Sequence, residues 1–136
     1  MAKNLDELKA AVKNSEIFSE NALEHIFKGN KTGGFHYEGL EDAVGEVVEI
    51  TKKPNAQGVY EARVSINGKV KNAPSTFFPK DWSPEQVVEA IEEAYNSMEY
   101  TGRRNAYRGM CNSGIEIELY IDDRTNEIIS AYPIMK

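Results

Sequence analysis

Ser83-Pro84-Glu85-Gln86 commits the next stretch of this chain to a helix. A serine N-cap, a proline at the first helical position and a glutamine at the third close a capping box, which satisfies backbone N–H groups that a helix start otherwise leaves unpaired. Val87, Val88, Ile91, Ala94, Tyr95 and Met98 then recur at helical spacing and mark a buried face. Glu85, Glu89, Glu92 and Glu93 form its wet side. This helix is flanked by strand signals. Upstream, Tyr60, Ala62, Val64 and Ile66 alternate with Glu61, Arg63 and Ser65. Asn67-Gly68 then turns the chain back through Lys69 to Lys71, because Asn-Gly tolerates the positive φ angles of a type I′ turn. Val44 to Ile50 predicts one more strand. Downstream, past an Arg- and Gly-rich connection, Ile115 to Ile121 and Glu127 to Ile134 flank a turn at Asp122 to Asn126. That pattern predicts a terminal antiparallel hairpin.

Two short helices are expected in the first thirty residues. Leu5, Leu8 and Val12 share one helical face, and Ser19 is a candidate N-cap for a second helix through Asn21, Ala22, Leu23 and Ile26, with Gly29 at C′. His25 falls near the C-terminal turn of that helix. There the partial negative charge of the helix end favours the imidazolium, which predicts a modestly raised pKa. Gly29 to Gly39 holds four glycines and no periodicity, so His36 is expected on a loop. Helices first and a meandering sheet after give an α+β fold. The expected architecture is N-terminal helices packed on a twisted antiparallel sheet, with one further helix between hairpins. A single domain over 1–136 is expected, with 1–22 as a helical lead-in and 23–136 as the working region.

With 136 residues the chain can bury a real core, and its one cysteine, Cys111, excludes an internal disulfide framework. No apolar run approaches the roughly 20 residues of a membrane span, and the start is amphipathic and charged rather than signal-like. A soluble chain is the expectation, with no membrane partner and with export depending on another segment or machine. The net charge of −6 argues against a polyanion partner, but its distribution does not. Residues 51–80 carry 6 basic side chains and 1 acidic, and residues 101–110 carry 3 basic and none acidic. Lys52, Lys53, Arg63, Lys69, Lys71 and Lys80, then Arg103, Arg104 and Arg108, are basic islands in an acidic frame, readable either as solvated surface or as a local phosphate site. Asp122, Asp123 and Glu127 lie in a hairpin turn and read as turn chemistry, so no metal site and no cofactor are expected.

The chain has two histidines, 11 positions apart, in Glu24-His25-Ile26-Phe27-Lys28-Gly29 and Gly33-Gly34-Phe35-His36-Tyr37-Glu38-Gly39. Two imidazoles suit paired general acid and base work, because histidine alone has an unperturbed pKa, about 6.5, that exchanges protons near neutrality. Beyond them stand Ser75-Thr76-Phe77-Phe78-Pro79-Lys80-Asp81-Trp82-Ser83, Gly114-Ile115-Glu116-Ile117 and Ile129-Ser130-Ala131-Tyr132-Pro133. Taken in this order, from about residue 23 to the end, these stretches resemble the bacterial EndoU endoribonuclease domain. That resemblance implies the fold of small bacterial ribonucleases of the barnase, colicin and RelE type. It also implies metal-independent RNA cleavage, often beside uridine, that leaves a 2′,3′-cyclic phosphate.

The resemblance gives His25 and His36 the acid and base roles, without deciding which is which. It implies a charge-neutralising lysine, placed at Lys71 on the returning hairpin strand, with Lys69 and Lys31 as alternatives. Ser130 and Tyr132 fall on the element that contacts the uracil edge and stacks on base and ribose. Lys31, Gly34, Lys69, Ser75 and Arg104 are expected to contact substrate, while Phe78 and Trp82 are assigned to the core. Such domains often form C-terminal modules of secreted bacterial competition toxins acting on tRNA or other structured RNA in the target-cell cytoplasm, with a cognate immunity protein as partner. The alternative from another class is a non-catalytic RNA- or protein-binding module, immunity- or antitoxin-like, on the same scaffold.

Overall fold

The computed structural model describes residues 1–30 and 33–136; Lys31 and Thr32 lie outside the described residues. Among the described residues, three α-helices and two antiparallel sheets of four strands each make an α+β fold. Helix α1 spans Leu5–Ala11, and its cap Asn4 accepts from the Glu7 N–H. A 3₁₀ turn at Ser15–Ile17 leads to α2, Ala22–Phe27. Asn21 rather than Ser19 holds the N-cap position, with no side-chain capping bond, so this short helix owes its order to its buried Ala22, Leu23, Ile26 and Phe27. Gly29, at φ +70°, ends it in the left-handed conformation and returns its N–H to Glu24 O.

The first sheet contains β1 (Gly45–Lys52), β2 (Tyr60–Ile66), β3 (Lys69–Val70) and β4 (Ser75–Phe77). β1 lies along one edge of β2, while β3 and β4 share the other: Ser65 and Ile66 pair with β3, and Tyr60 to Ala62 pair with β4. β3 and β4 are thus one return path, interrupted at Asn72-Ala73-Pro74, where a proline cannot donate to the ladder. Lys71 sits at the start of that interruption, held by its N–H to Val64 O at 2.8 Å.

The second sheet runs β5 (Glu99–Tyr100), β6 (Ala106–Met110), β7 (Glu116–Ile121) and β8 (Ile128–Pro133) in chain order. Helix α3, Pro84–Ser97, carries the full capping box between Ser83 and Gln86 and lies on this sheet. The contact is close. A Cβ built on Gly109 of β6 would stand 2.0 Å from Ala94 O, so only glycine allows this approach. The arginine-rich connection after α3 is therefore partly a strand, β6. Its alternation is obscured in sequence because Gly109 stands where a core side chain would otherwise signal the buried face.

Two cores result. The larger gathers α1, α2, α3 and the inner face of the second sheet, including Leu8, Ile26, Phe27, Ile91, Ile117, Leu119, Ile128 and Phe78, with Trp82 packed against it. The smaller holds Phe35, Tyr60, Ala62, Val64, Ile66 and Phe77. Cys111 is a buried free thiol in the larger core. Among the described residues, no helix is long and apolar enough to cross a membrane.

Candidate active site

The loop after α2 folds back along that helix and brings the two histidines side by side. Phe35 N–H donates to His25 O at 3.0 Å, and His36 N–H donates to Ile26 O at 2.7 Å. Gly34 makes the approach possible. It has φ +87°, and a Cβ there would lie 2.1 Å from His25 O, a distance no side chain tolerates. Gly33 faces the His25 ring, where an added Cβ would meet Cε1 at 3.5 Å. Phe35, between Gly34 and His36, takes φ +68°, a conformation costing of order 1–3 kcal/mol in a non-glycine residue. Its fully buried ring, edge-on to Phe77 with centroids 5.2 Å apart, offsets that strain.

His36 is held from four directions and only 8% exposed. Its N–H goes to α2, and its C=O accepts from Phe78 N–H at 2.9 Å. Nδ1 lies 2.8 Å from Thr76 O on the first sheet. The ring stacks on Tyr132 of the second sheet, with centroids 5.4 Å apart and planes 29° from parallel. Burial pushes its pKa down to about 4; the positive charges of His25 and Lys71 add to this, and the Thr76 bond opposes it only in part. The imidazole is therefore neutral at pH 7. A carbonyl only accepts, so in the neutral ring Nδ1 carries the proton and Nε2 keeps its lone pair.

His25 is half-buried in the last turn of α2 and opens on a cleft of about 690 Å³ whose lining includes Ser19, Asn21, Gly29, Asn30 and Ile129. The helix end predicts a raised pKa here, but the structure reverses that expectation. Burial lowers the pKa first, and the Lys71 ammonium lowers it further. Desolvation and a full neighbouring charge outweigh the partial charge of a helix only six residues long.

Lys71 reaches into the same site, with Nζ 3.4 Å from Gly34 O and 3.4 Å from Ser75 Oγ. Ser75, itself buried, donates to Gly34 O at 3.4 Å. Burial lowers the Lys71 pKa. Ser130 and Tyr132 project from β8 on the face that also carries Glu118 and Tyr120 of β7, since Glu118 pairs with Tyr132 and Tyr120 with Ser130. His25, Gly34, His36, Lys71, Ser75 and Tyr132 thus come together around one loop. Lys69 lies exposed at the hairpin, and Arg104 is exposed in the turn between β5 and β6. Lys31 falls outside the described residues.

Glu118 escaped the sequence reading. In Ile115-Glu116-Ile117-Glu118-Leu119 it looks like one more wet residue of an alternating strand, yet it is 1% exposed. Tyr132 Oη donates to Oε2, as does Tyr120 Oη at 3.1 Å. Arg103 and Arg108 both reach Oε1, at 2.8 and 3.0 Å. Burial alone raises this carboxyl, but the hydrogen bonds from Tyr132, Arg108, Arg103 and Tyr120 outweigh it and hold the group below the usual carboxylate range. Of the turn acids, Asp122 makes turn bonds: its Oδ1 accepts from the Arg124 and Thr125 N–H groups.

Three comparisons bear on this arrangement. A toxin of Bacillus cereus (strain ATCC 14579) is 43% identical over 136 aligned positions that include 93% of this chain, and the chain spans about a quarter of that relative's length, 25%. No solved structure matches the chain. The sequence profile of the bacterial EndoU nucleases matches residues 19–135, which include both histidines, Lys71, Glu118 and Tyr132. The chain belongs to the bacterial EndoU nuclease family.

Proposed function

We propose that this nuclease cleaves RNA by attack of a ribose 2′-hydroxyl on the adjacent phosphorus, with His36 as base and His25 as acid. The observation that carries the assignment is the His36 Nδ1 contact with Thr76 O at 2.8 Å. It leaves Nε2 as a bare acceptor on a ring that stays neutral above pH about 4. Nε2 takes the 2′-proton as the O2′–P bond forms. The P–O5′ bond breaks, and O5′ takes a proton from the His25 imidazolium. The products are a 2′,3′-cyclic phosphate and a free 5′-hydroxyl, and each positioned imidazole contributes roughly 10²–10⁴-fold.

Lys71 neutralises charge growing on the phosphoryl oxygens, and its partly desolvated ammonium is worth more there than in water. Gly34 and Ser75 fix the lysine on that side of the loop. Tyr132 holds the His36 ring and, with Ser130, bounds the place of the base 5′ to the cut. Structured RNA such as tRNA, cut beside uridine, is the proposed substrate. The toxin relative is about four times as long, which supports reading this domain as the nuclease module of a longer delivered protein. Its targets then lie in a recipient cytoplasm, and a cognate immunity protein protects the producer.

The test is cleavage of total tRNA and of a uridine-containing oligonucleotide in EDTA, beside His36→Ala, with analysis of product ends. Cyclic-phosphate ends from the wild type alone are the expected result. Cleavage that stops in EDTA overturns the metal-independent mechanism. No cleavage of either RNA favours the non-catalytic binding module.

A further inference from the structure

The Glu118 cluster has a directional build. Both guanidiniums lie on Oε1 and both phenols on Oε2, so the carboxylate has one side toward solvent and one toward the histidine site. Arg103 and Arg108 remain 60% and 46% exposed, whereas the carboxylate between them is 1% exposed. A buried carboxylate is retained only when its lone pairs are met by donors, and four converge here. β-sheet register places them: Arg108 on β6 pairs with Glu118, which pairs with Tyr132 on β8. Tyr132 in turn packs its ring on His36.

We propose that Glu118 is a positioning residue for His36 and acts through Tyr132. With its hydroxyl anchored on Oε2, the tyrosine ring cannot swing, and its face becomes a fixed wall for the imidazole. The Thr76 carbonyl fixes one edge of His36 from the first sheet. Glu118 fixes the ring face from the second. Acceptor-only chemistry is required, because a glutamine amide turns an N–H₂ toward one of these donors. This inference rests on His36 being a reacting group.

The test compares Glu118→Gln, Tyr132→Phe, the double variant and Tyr120→Phe on a uridine-containing RNA oligonucleotide in EDTA. It is joined by ¹⁵N spectra of the His36 imidazole. Displacing a reacting group by a fraction of an ångström is expected to lower kcat roughly 10- to 100-fold in both E118Q and Y132F, with KM within about twofold. The double variant is expected to be no worse than the poorer single, since both break one linkage. Tyr120→Phe removes the other Oε2 donor and is expected to change kcat less than about threefold by the same positioning argument. His36 ¹⁵N shifts and titration move in E118Q and Y132F and not in Y120F.

Additive losses, a loss confined to KM, or unchanged His36 spectra overturn the proposal. If E118Q fails to fold, the contrast of Y132F with Y120F decides the same question. If the wild type cuts no RNA, the catalytic reading fails, and the spectra alone still show whether Glu118 positions His36.

Discussion

Phe77 and Phe78 are neighbours in sequence, 0% and 1% exposed, yet they belong to different cores. Phe77 points into the small core under the first sheet, and Phe78 into the large one shared by the three helices and the second sheet. The chain passes between the two bodies at this dipeptide, and Phe78 N–H bonds His36 O as it crosses. The difference between the bodies teaches how the site is assembled. The first sheet is thin, with an exposed β1 and Val48, Ile50 and Val70 in solvent, and it supplies Lys71, Ser75 and the Thr76 carbonyl. The second sheet packs its inner face into the large core and supplies Ser130, Tyr132 and Glu118. His36 is hydrogen-bonded to one sheet and stacked on the other, so its placement depends on how the two sheets sit together.

The largest effect expected from this contrast is in the large core. Phe78→Ala should cost about 3–5 kcal/mol, a large part of the roughly 5–15 kcal/mol that holds a domain this size. Phe77→Ala, in a core whose edge can collapse, belongs at the low end of that range, about 3 kcal/mol. Urea midpoints measure both losses. Amide exchange should show protection lost throughout in Phe78→Ala but only over the first sheet in Phe77→Ala. Equal loss everywhere in both variants would make the two sheets one cooperative unit.

The residue held by both sheets gives the second test. The His36 pKa is about 4 in the folded chain, against about 6.5 when unfolded. Between these values the unfolded state binds more protons, so this contribution is complete above pH about 6.5 and is lost as pH falls toward 4. It amounts to about 3 kcal/mol, and His36→Gln should flatten that part of the stability–pH curve. A slope unchanged by the substitution would mean that the ring is more hydrated than its packing indicates.

Removing the first sheet's charge sharpens the comparison by chemistry. Lys71 lowers both histidine pKa values, so Lys71→Gln should raise both. Wild-type kcat/KM should peak on the acid side of 6.5, and in the variant both limbs should move to higher pH. Activity at the optimum should fall roughly 10²-fold, as when one charge-stabilising donor is lost. A loss without movement of the limbs would place Lys71 outside electrostatic reach of the histidines. The smallest effect belongs to the first sheet's outer surface. Arg63→Ala breaks an exposed 3.7 Å pair with Glu49 and should change stability by less than about 0.5 kcal/mol. A larger loss would mean that β1 is held more firmly than its exposure suggests.

Local signals in the sequence located much of this protein. The capping box at Ser83, the Asn67-Gly68 hairpin and the Gly29 helix stop each act within a few residues, and each stands where its local chemistry puts it. The order of the histidine, lysine and tyrosine segments also pointed to a family whose profile covers 19–135. Burial was not legible, because it is set by residues far along the chain. Glu118 and Glu116 look alike in sequence, yet only Glu118 faces Tyr132, Tyr120, Arg103 and Arg108. The helix-end expectation for His25 fails for the same reason. A helix end is local and visible, while Lys71, 46 residues away in sequence, and the covering loop are not. Sequence alone determined the family and the order of the elements, since motif order, propensity and turn chemistry are read along the chain. Only the tertiary structure decided the protonation of the histidines and the partners of Glu118, because desolvation and charge act through space between segments far apart in the sequence.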